Sequence, residues 1–147
     1  PTLDLPQLGS GKGNQPFKTV KDYKDFLKRV SVFPAWGDTA IANMRVGITK
    51  GWVLPKALVV KILPQLKAMI VNDAKESIFY GPLNDIPKTF SPEDKQKLTA
   101  DYEAAIVNEI IPTYKKLYDF FETEYMPKAR TTTGVGDLPD GKAYYEY

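Results

Sequence analysis

SPEDKQKLTADYEAAIVNEIIPTYKKLYDFFETEYMPKAR, residues 91–130, carries a long helical periodicity. Ser91, Pro92 and Asp94 supply an N-cap residue, a first-turn proline and a capping-box partner, so a helix is expected to begin there. Apolar side chains then recur every three or four residues, which predicts one buried face. That face consists of Leu98, Tyr102, Ala105, Ile106, Ile110, Tyr114, Leu117, Phe120 and Phe121. The stretch therefore predicts a long helix in a helical protein.

Prolines interrupt the helical patterns at defined points. Proline removes one backbone hydrogen bond and its ring clashes with the preceding turn. We therefore expect a kink at Pro112 and the end of the long helix near Pro127. The same reasoning predicts a kink at Pro64, inside the apolar stripe of an earlier helix.

Three further helices are expected before the long one. Thr19 and Asp22 form a capping box ahead of the first, and Pro34 is expected to end it. The second should run over residues 35–50, and Pro55 fits the first turn of the third. The fold class is therefore all-α, or mainly α, with an irregular bundle of about four kinked helices and a short C-terminal strand.

The chain divides into three segments by composition. Residues 1–18 are rich in proline and glycine and are expected to be a loop or linker, and residues 19–130 form the helical bundle. Residues 131–147 are interpreted as a turn-rich loop that ends in the start of a strand at AYYEY, 143–147. Because no second strand is evident to pair with it, we expect the chain to be a piece of a longer protein.

Composition excludes several kinds of chemistry. The 147 residues include neither histidine nor cysteine, so a histidine-bearing triad, a histidine zinc motif and thiolate catalysis are impossible within them. The net charge is only +2, which gives no electrostatic footprint for nucleic acid. A helix that spans a bilayer needs a run of about 18 apolar residues, and the sequence contains no such run. Catalysis by this chain alone would need carboxylates, lysine, tyrosine or hydroxyls.

The motifs that could carry chemistry are weak. GSGKG, residues 9–13, lacks the glycine and the hydroxyl residue that a phosphate-binding loop needs, so it is interpreted as linker. Glu122 and Glu124, like Asp101 and Glu103, are two residues apart and point in different directions on a helix, which favours solvated faces. An aromatic series is interpreted as core or as a seam between helices; it comprises Tyr114, Tyr118, Phe121 and Tyr125.

Four segments, taken in order and spacing, resemble one bacterial family. They are AIANMRVGITKGWVLPKALVVKIL (40–63), SIFYGPLNDIP (77–87), EIIPTYKKLYDFFETEYMPKAR (109–130) and GVGDLPDGKAYYEY (134–147). Across nearly the whole chain they resemble the N-terminal half of the family catalogued as "domain of unknown function 885". Its members are large, mostly helical proteins, often described as "putative lipoproteins".

The resemblance implies a parent protein similar to zinc metallopeptidases of the helical thimet-oligopeptidase kind. Family members carry an H-E-x-x-P-G-H-like segment in their C-terminal half, in which two histidines bind zinc and the glutamate activates water. Zinc is therefore expected in the missing C-terminal part, and no cofactor, catalytic residue or metal ligand is expected in this chain. The resemblance also implies a periplasmic or cell-envelope location for the parent.

The family's PDG-x-x-YY segment corresponds to Pro139, Asp140, Gly141, Tyr144 and Tyr145. The resemblance implies that residues 143–147 lend an edge strand or a wall to a substrate channel, with Tyr144 or Tyr145 as the substrate-binding residue. The expected partners are the protein's own C-terminal half or a peptide substrate.

Two alternatives stay open. The chain could be a free-standing helical module of the cell envelope that binds a peptide or a protein through its aromatic face. It could also be a zinc-free enzyme whose carboxylates meet across helices. Zinc content separates these alternatives, because only a metallopeptidase-like parent should hold about one zinc ion in the longer polypeptide.

Overall fold

The computed structural model describes residues 4–146, with only the backbone described at residues 145 and 146. The helices of this range are α1 (Asp4–Gly9), α2 (Val20–Ser31), α3 (Phe33–Thr49), α4 (Lys56–Ala68), α5 (Gly81–Asn84), α6 (Pro92–Ala105), α7 (Ile111–Phe120) and α8 (Gly141–Glu146). Short 3-10 turns occupy Ala74–Glu76, Ile78–Tyr80, Met126–Lys128 and Val135–Asp137. The predicted all-α class is confirmed, and residues 4–146 contain no β-strand.

Helices α6 and α7 belong to one continuous helical segment that contains two π-helical turns, Ile106–Ile110 and Phe121–Tyr125. Each π turn ends just before a proline, Pro112 or Pro127. In the first, the N–H of Ile111 donates to the carbonyl five residues back. Proline has no N–H and clashes with the carbonyl four residues back, and a wider turn accommodates both defects. The predicted break at Pro112 therefore takes the form of a π turn.

The α6–α7 segment is the centre of the bundle, with α2 packed on α6 and with α3 and α4 packed on α7. Its predicted apolar face is buried, apart from the half-buried Ala105. Two core tyrosines also make hydrogen bonds between elements. The Tyr23 hydroxyl donates to the Pro82 carbonyl at 2.8 Å, and the Tyr102 hydroxyl donates to the Tyr23 carbonyl at 3.2 Å. The Tyr114 hydroxyl is buried and has no hydrogen-bond partner among the described residues.

The predicted helix starts agree with the structure to within a few residues. The capping box of Thr19 and Asp22 opens α2, and Pro34 lies in the first turn of α3. Pro55 was expected in the first turn of α4 but is its N-cap residue. Pro64 lies inside that helix, as expected. None of the helices within residues 4–146 is both long enough and apolar enough to cross a bilayer.

The opening segment differs from the expected loop. Residues 4–9 form α1, in which Gly9 is buried. Leu5 and Leu8 pack against the core, so burial outweighs the helix-breaking composition of this segment. The division of the chain into linker, bundle and tail stays a prediction.

The predicted C-terminal strand is wrong over the described residues, because Gly141–Glu146 forms α8. The N–H of Gly141 donates to the Leu138 carbonyl at 2.9 Å, and the N–H of Tyr144 donates to the Asp140 carbonyl at 3.2 Å. The backbone thus satisfies its own hydrogen bonds locally and needs no partner strand. The last residue of the predicted strand, Tyr147, lies outside the described residues.

Candidate functional site

An apolar pocket of about 430 Å³ lies between α8 and the loop that joins α3 to α4. Its volume falls in the range of pockets that hold small ligands. Two aromatic side chains form its exposed rim, since Trp52 is 51% and Tyr144 is 77% exposed. Among the described residues, the lining is Trp52, Val135, Leu138, Asp140, Gly141, Ala143 and Tyr144.

The chemistry of this lining favours binding over reaction. Asp140 is the one acidic residue among the lining residues, and none of them is a serine, threonine, lysine or arginine. Val135, Leu138 and Trp52 offer an apolar surface that stabilises a bound group by removing it from water. The pocket is therefore a candidate binding site for an apolar group.

The wall formed by α8 depends on a tight turn. Asp140 adopts a left-handed backbone conformation with φ 58°, which aspartate tolerates better than most residues. A Cβ atom at Gly141 would lie 2.0 Å from the carbonyl oxygen of Val135. Only glycine fits at that position, so the Asp-Gly pair brings the start of α8 directly against the 3-10 turn Val135–Asp137.

The opposite wall is the α3–α4 loop, which carries Trp52. The N–H of Trp52 donates to the Gly47 carbonyl at 2.8 Å, so the loop turns back onto the end of α3. The N–H of Leu54 donates to the Tyr125 hydroxyl at 2.8 Å. The loop is thus fixed to two different helical elements, and Trp52 has a defined position at the pocket.

The structure brings together most of the residues singled out by the PDG-x-x-YY resemblance. Asp140, Gly141 and Tyr144 line the pocket. The side chain of Tyr145 lies outside the described residues. The proposed role of Tyr144 and Tyr145 in substrate binding stays a prediction.

Sequence reasoning missed Trp52. The sequence does offer a signal, because Trp52 lies in a short loop between Gly51 and Pro55, and a large aromatic side chain is unusual in such a loop.

A second, charged cleft of about 350 Å³ lies between α3 and α7. Arg45 donates two hydrogen bonds to Glu124, at 2.8 and 2.6 Å, and its guanidinium lies 5.6 Å from the centre of the Phe120 ring. These hydrogen bonds hold the pKa of Glu124 below its ordinary value. Lys116 pairs with Asp38 at 2.6 Å. The charges of this cleft are thus engaged in exposed ion pairs, each of which contributes little stability.

Three of the four carboxylates considered as catalytic candidates are hydrogen-bonded to other side chains. Glu124 is bound by Arg45, whereas Glu122 accepts a hydrogen bond from the Tyr118 hydroxyl at 3.2 Å. Glu103 accepts one from Tyr80 at 3.4 Å. Within residues 4–146 no three acidic side chains come close enough together to hold a metal ion.

The GSGKG segment forms a local turn after α1. The Ser10 hydroxyl donates to the Gln7 carbonyl at 2.9 Å and accepts from the Lys12 N–H at 3.2 Å. This segment, which the sequence predicts to be linker, therefore forms a hydrogen-bonded turn.

Comparisons with known proteins give a family and a fold. The family model described as "Bacterial protein of unknown function (DUF885)" matches residues 3–147. The structure is similar to the crystal structure of "the putative lipoprotein from Colwellia psychrerythraea", with a TM-score of 0.87 and 22% sequence identity. The match covers 99% of this chain and 25% of that chain, so this chain spans about a quarter of the other's length. A comparison with curated proteins gave no match.

Proposed function

Because the chain belongs to the DUF885 family of bacterial proteins of unknown function, we propose that it is a non-catalytic, substrate-binding portion of a longer zinc-metallopeptidase-like protein. Its apolar pocket holds a large apolar side chain of a peptide. The pocket between Trp52 and Tyr144 is the observation that carries this proposal. The resemblance to peptidases supports the parent activity, and the absence of histidine and cysteine assigns histidine or thiolate zinc ligands to another part of that protein.

Burial energetics decide which peptides the pocket selects. Burying a leucine side chain contributes about 1.5–3 kcal/mol, whereas a serine hydroxyl placed there without a hydrogen-bond partner costs free energy. A difference of about 1.4 kcal/mol corresponds to a tenfold change in Kd. Peptides with a large aliphatic or aromatic residue therefore bind at least tenfold more tightly than peptides with serine at the same place.

The parent protein belongs, under this proposal, to the cell envelope. The description of the structurally similar Colwellia protein as a "putative lipoprotein" supports this location.

Peptide titration tests the binding site directly. The chain has two tryptophans, and Trp36 stacks on Phe33 away from the pocket. Trp36→Phe therefore leaves Trp52 as the only tryptophan reporter. Titration with a blocked pentapeptide that has a central leucine should change Trp52 fluorescence saturably, with at least tenfold tighter binding than the central-serine peptide.

A pair of variants localises the binding. Tyr144→Ala should lower the affinity for the leucine peptide severalfold, because it removes one of the two aromatic side chains at the rim of the pocket. Val60→Ala is the control, since Val60 is also an exposed apolar residue but does not line the pocket. Equal affinity for the leucine and serine peptides, or no saturable signal at millimolar peptide, would contradict the proposed binding function.

A second candidate is a free-standing peptide-binding module. It is favoured by the fact that residues 52–144 of this chain form the pocket walls in the part of the chain that the structure describes. Metal analysis of the longer polypeptide separates the two candidates. About one zinc per chain and chelator-sensitive peptide hydrolysis support the peptidase portion, whereas peptide binding without zinc supports the module.

A further inference from the structure

We propose that Arg130 is the positioning residue of the apolar pocket: its guanidinium holds the two pocket walls at a fixed separation and thereby sets the affinity for an apolar side chain. This inference rests on the proposed binding function. Arg130 does not line the pocket, so it acts through the residues that do.

The Arg130 side chain contacts both walls at once. Its Nε donates to the carbonyl of Val53 at 3.0 Å, and Val53 follows Trp52 in the α3–α4 loop. Its Nη1 donates to the carbonyl of Gly134 at 2.6 Å, and Gly134 precedes the lining residue Val135. Each wall is thus held one residue away from a side chain that lines the pocket.

The backbone of Arg130 is itself fixed to the α3–α4 loop. Its N–H donates to the Leu54 carbonyl at 3.2 Å, and its carbonyl accepts from the Lys56 N–H at 2.8 Å. The two hydrogen bonds form an isolated parallel bridge between Pro55 and Arg130. These bonds hold the Arg130 backbone against the loop, and its guanidinium donates to the carbonyls of Val53, Thr132 and Gly134.

A second contact, between Gly51 and Pro139, also connects the two pocket walls. A Cβ atom at Gly51 would lie 3.4 Å from Cγ of Pro139, so the backbone of Gly51 lies next to this proline ring. Gly51 precedes Trp52, and Pro139 follows the lining residue Leu138. Arg130 is therefore the polar connection between the walls, and the Gly51–Pro139 contact is the apolar one.

The geometry requires arginine specifically. A guanidinium carries five N–H donors in a planar fork and can donate in two directions, whereas a lysine ammonium is a single compact charge on a flexible stem. Lysine at position 130 could bond to Val53 or to Gly134 but would not hold both in the arginine geometry.

Arg130→Lys in the Trp36→Phe background tests this role. We expect the central-leucine peptide to bind at least fivefold more weakly, and acrylamide to quench Trp52 more efficiently without peptide, because the loop gains freedom. Arg45→Lys is the matched control, since Arg45 also makes a two-point contact, to Glu124, but outside this pocket. The affinity of the Arg45→Lys variant for the central-leucine peptide should stay within twofold of that of the Trp36→Phe variant.

The outcomes separate the two proposals. If the unmodified pocket binds no peptide, the proposed function fails. Acrylamide quenching of Trp52 then still tests the positioning role of Arg130. Unchanged quenching and unchanged peptide affinity in a folded Arg130→Lys variant would overturn the positioning role. Arg130→Gln, which keeps a neutral donor, provides the same measurements if the lysine variant does not fold.

Discussion

At the scale of single residues, three core tyrosines have the same burial but different partners. Tyr23, Tyr102 and Tyr114 are at most 2% exposed. The first two donate to backbone carbonyls, whereas the Tyr114 hydroxyl has no hydrogen-bond partner in the part of the chain that the structure describes. An unsatisfied buried polar group costs about 1–3 kcal/mol. The aromatic body of Tyr114 therefore stabilises the core, and its hydroxyl opposes that effect.

Replacing these tyrosines by phenylalanine should change stability in opposite directions. Tyr114→Phe should raise the free energy of unfolding by about 1 kcal/mol, and Tyr23→Phe should lower it by about 1 kcal/mol because the Pro82 carbonyl loses its donor. Urea unfolding measures both changes. If Tyr114→Phe destabilises as much as Tyr23→Phe, the Tyr114 hydroxyl has a partner in solution, such as a buried water.

At the scale of elements, the connection between α3 and α4 depends on a left-handed glycine. Gly51 has φ 77° and lies against Pro139. Gly51→Ala should lower the free energy of unfolding by about 1–2 kcal/mol, because a Cβ atom is unfavourable in this backbone conformation. It should also weaken binding of the leucine peptide, since the strained residue adjoins Trp52.

Gly136→Ala is the control for this substitution. A Cβ atom at Gly136 meets no atom within 4 Å, and alanine reduces the entropy of the unfolded chain. Stability should be unchanged or should rise by about 0.5 kcal/mol. A similar loss for both glycine variants in urea unfolding would show that the left-handed conformation of Gly51 is not the cause.

The same scale shows which elements the sequence could predict. The starts of α2 and α6 were predictable because their capping residues, Thr19 and Ser91, act within three residues of themselves. The strand at 143–147 was wrong because a cluster of tyrosines favours a strand, but the turn at Asp140 and Gly141 closes local hydrogen bonds first. Capping residues and turn residues therefore predict an element well where no other local pattern in the same segment favours a different structure.

At the scale of the whole molecule, the pocket was only half predictable. The resemblance pointed to residues 139–145, but the opposite wall comes from Trp52, more than eighty residues earlier in the chain. Arg130 connects the walls through carbonyl groups, which every residue has. No pattern of side chains along the sequence records such a contact.

Core tyrosines also make the whole fold sensitive to alkali. Burial raises the pKa of Tyr23 from 10.0 to about 12, and raises the pKa values of Tyr102 and Tyr114 further. Each contributes stability that is complete below pH 10, the ordinary value, and is lost as the pH rises through the folded value. The free energy of unfolding should fall above pH 10 by up to about 1.4 kcal/mol per pH unit for each such tyrosine.

Urea unfolding between pH 8 and pH 11.5 measures this dependence. Tyr114→Phe should reduce the slope above pH 10, because one titrating group is removed. Parallel profiles for the unmodified chain and the variant would contradict the assignment.

The π turn at Phe121–Tyr125 has a consequence for how this protein tolerates changes of length. A π turn holds one more residue than the α-helical turn it replaces, and here the turn ends at Tyr125, whose hydroxyl accepts a hydrogen bond from the N–H of Leu54. Deleting a single residue from this turn would convert it to an α-helical turn and rotate Tyr125 away from the α3–α4 loop. The position of one residue in this turn thus connects the hydrophobic core with the end of the molecule that carries the apolar pocket.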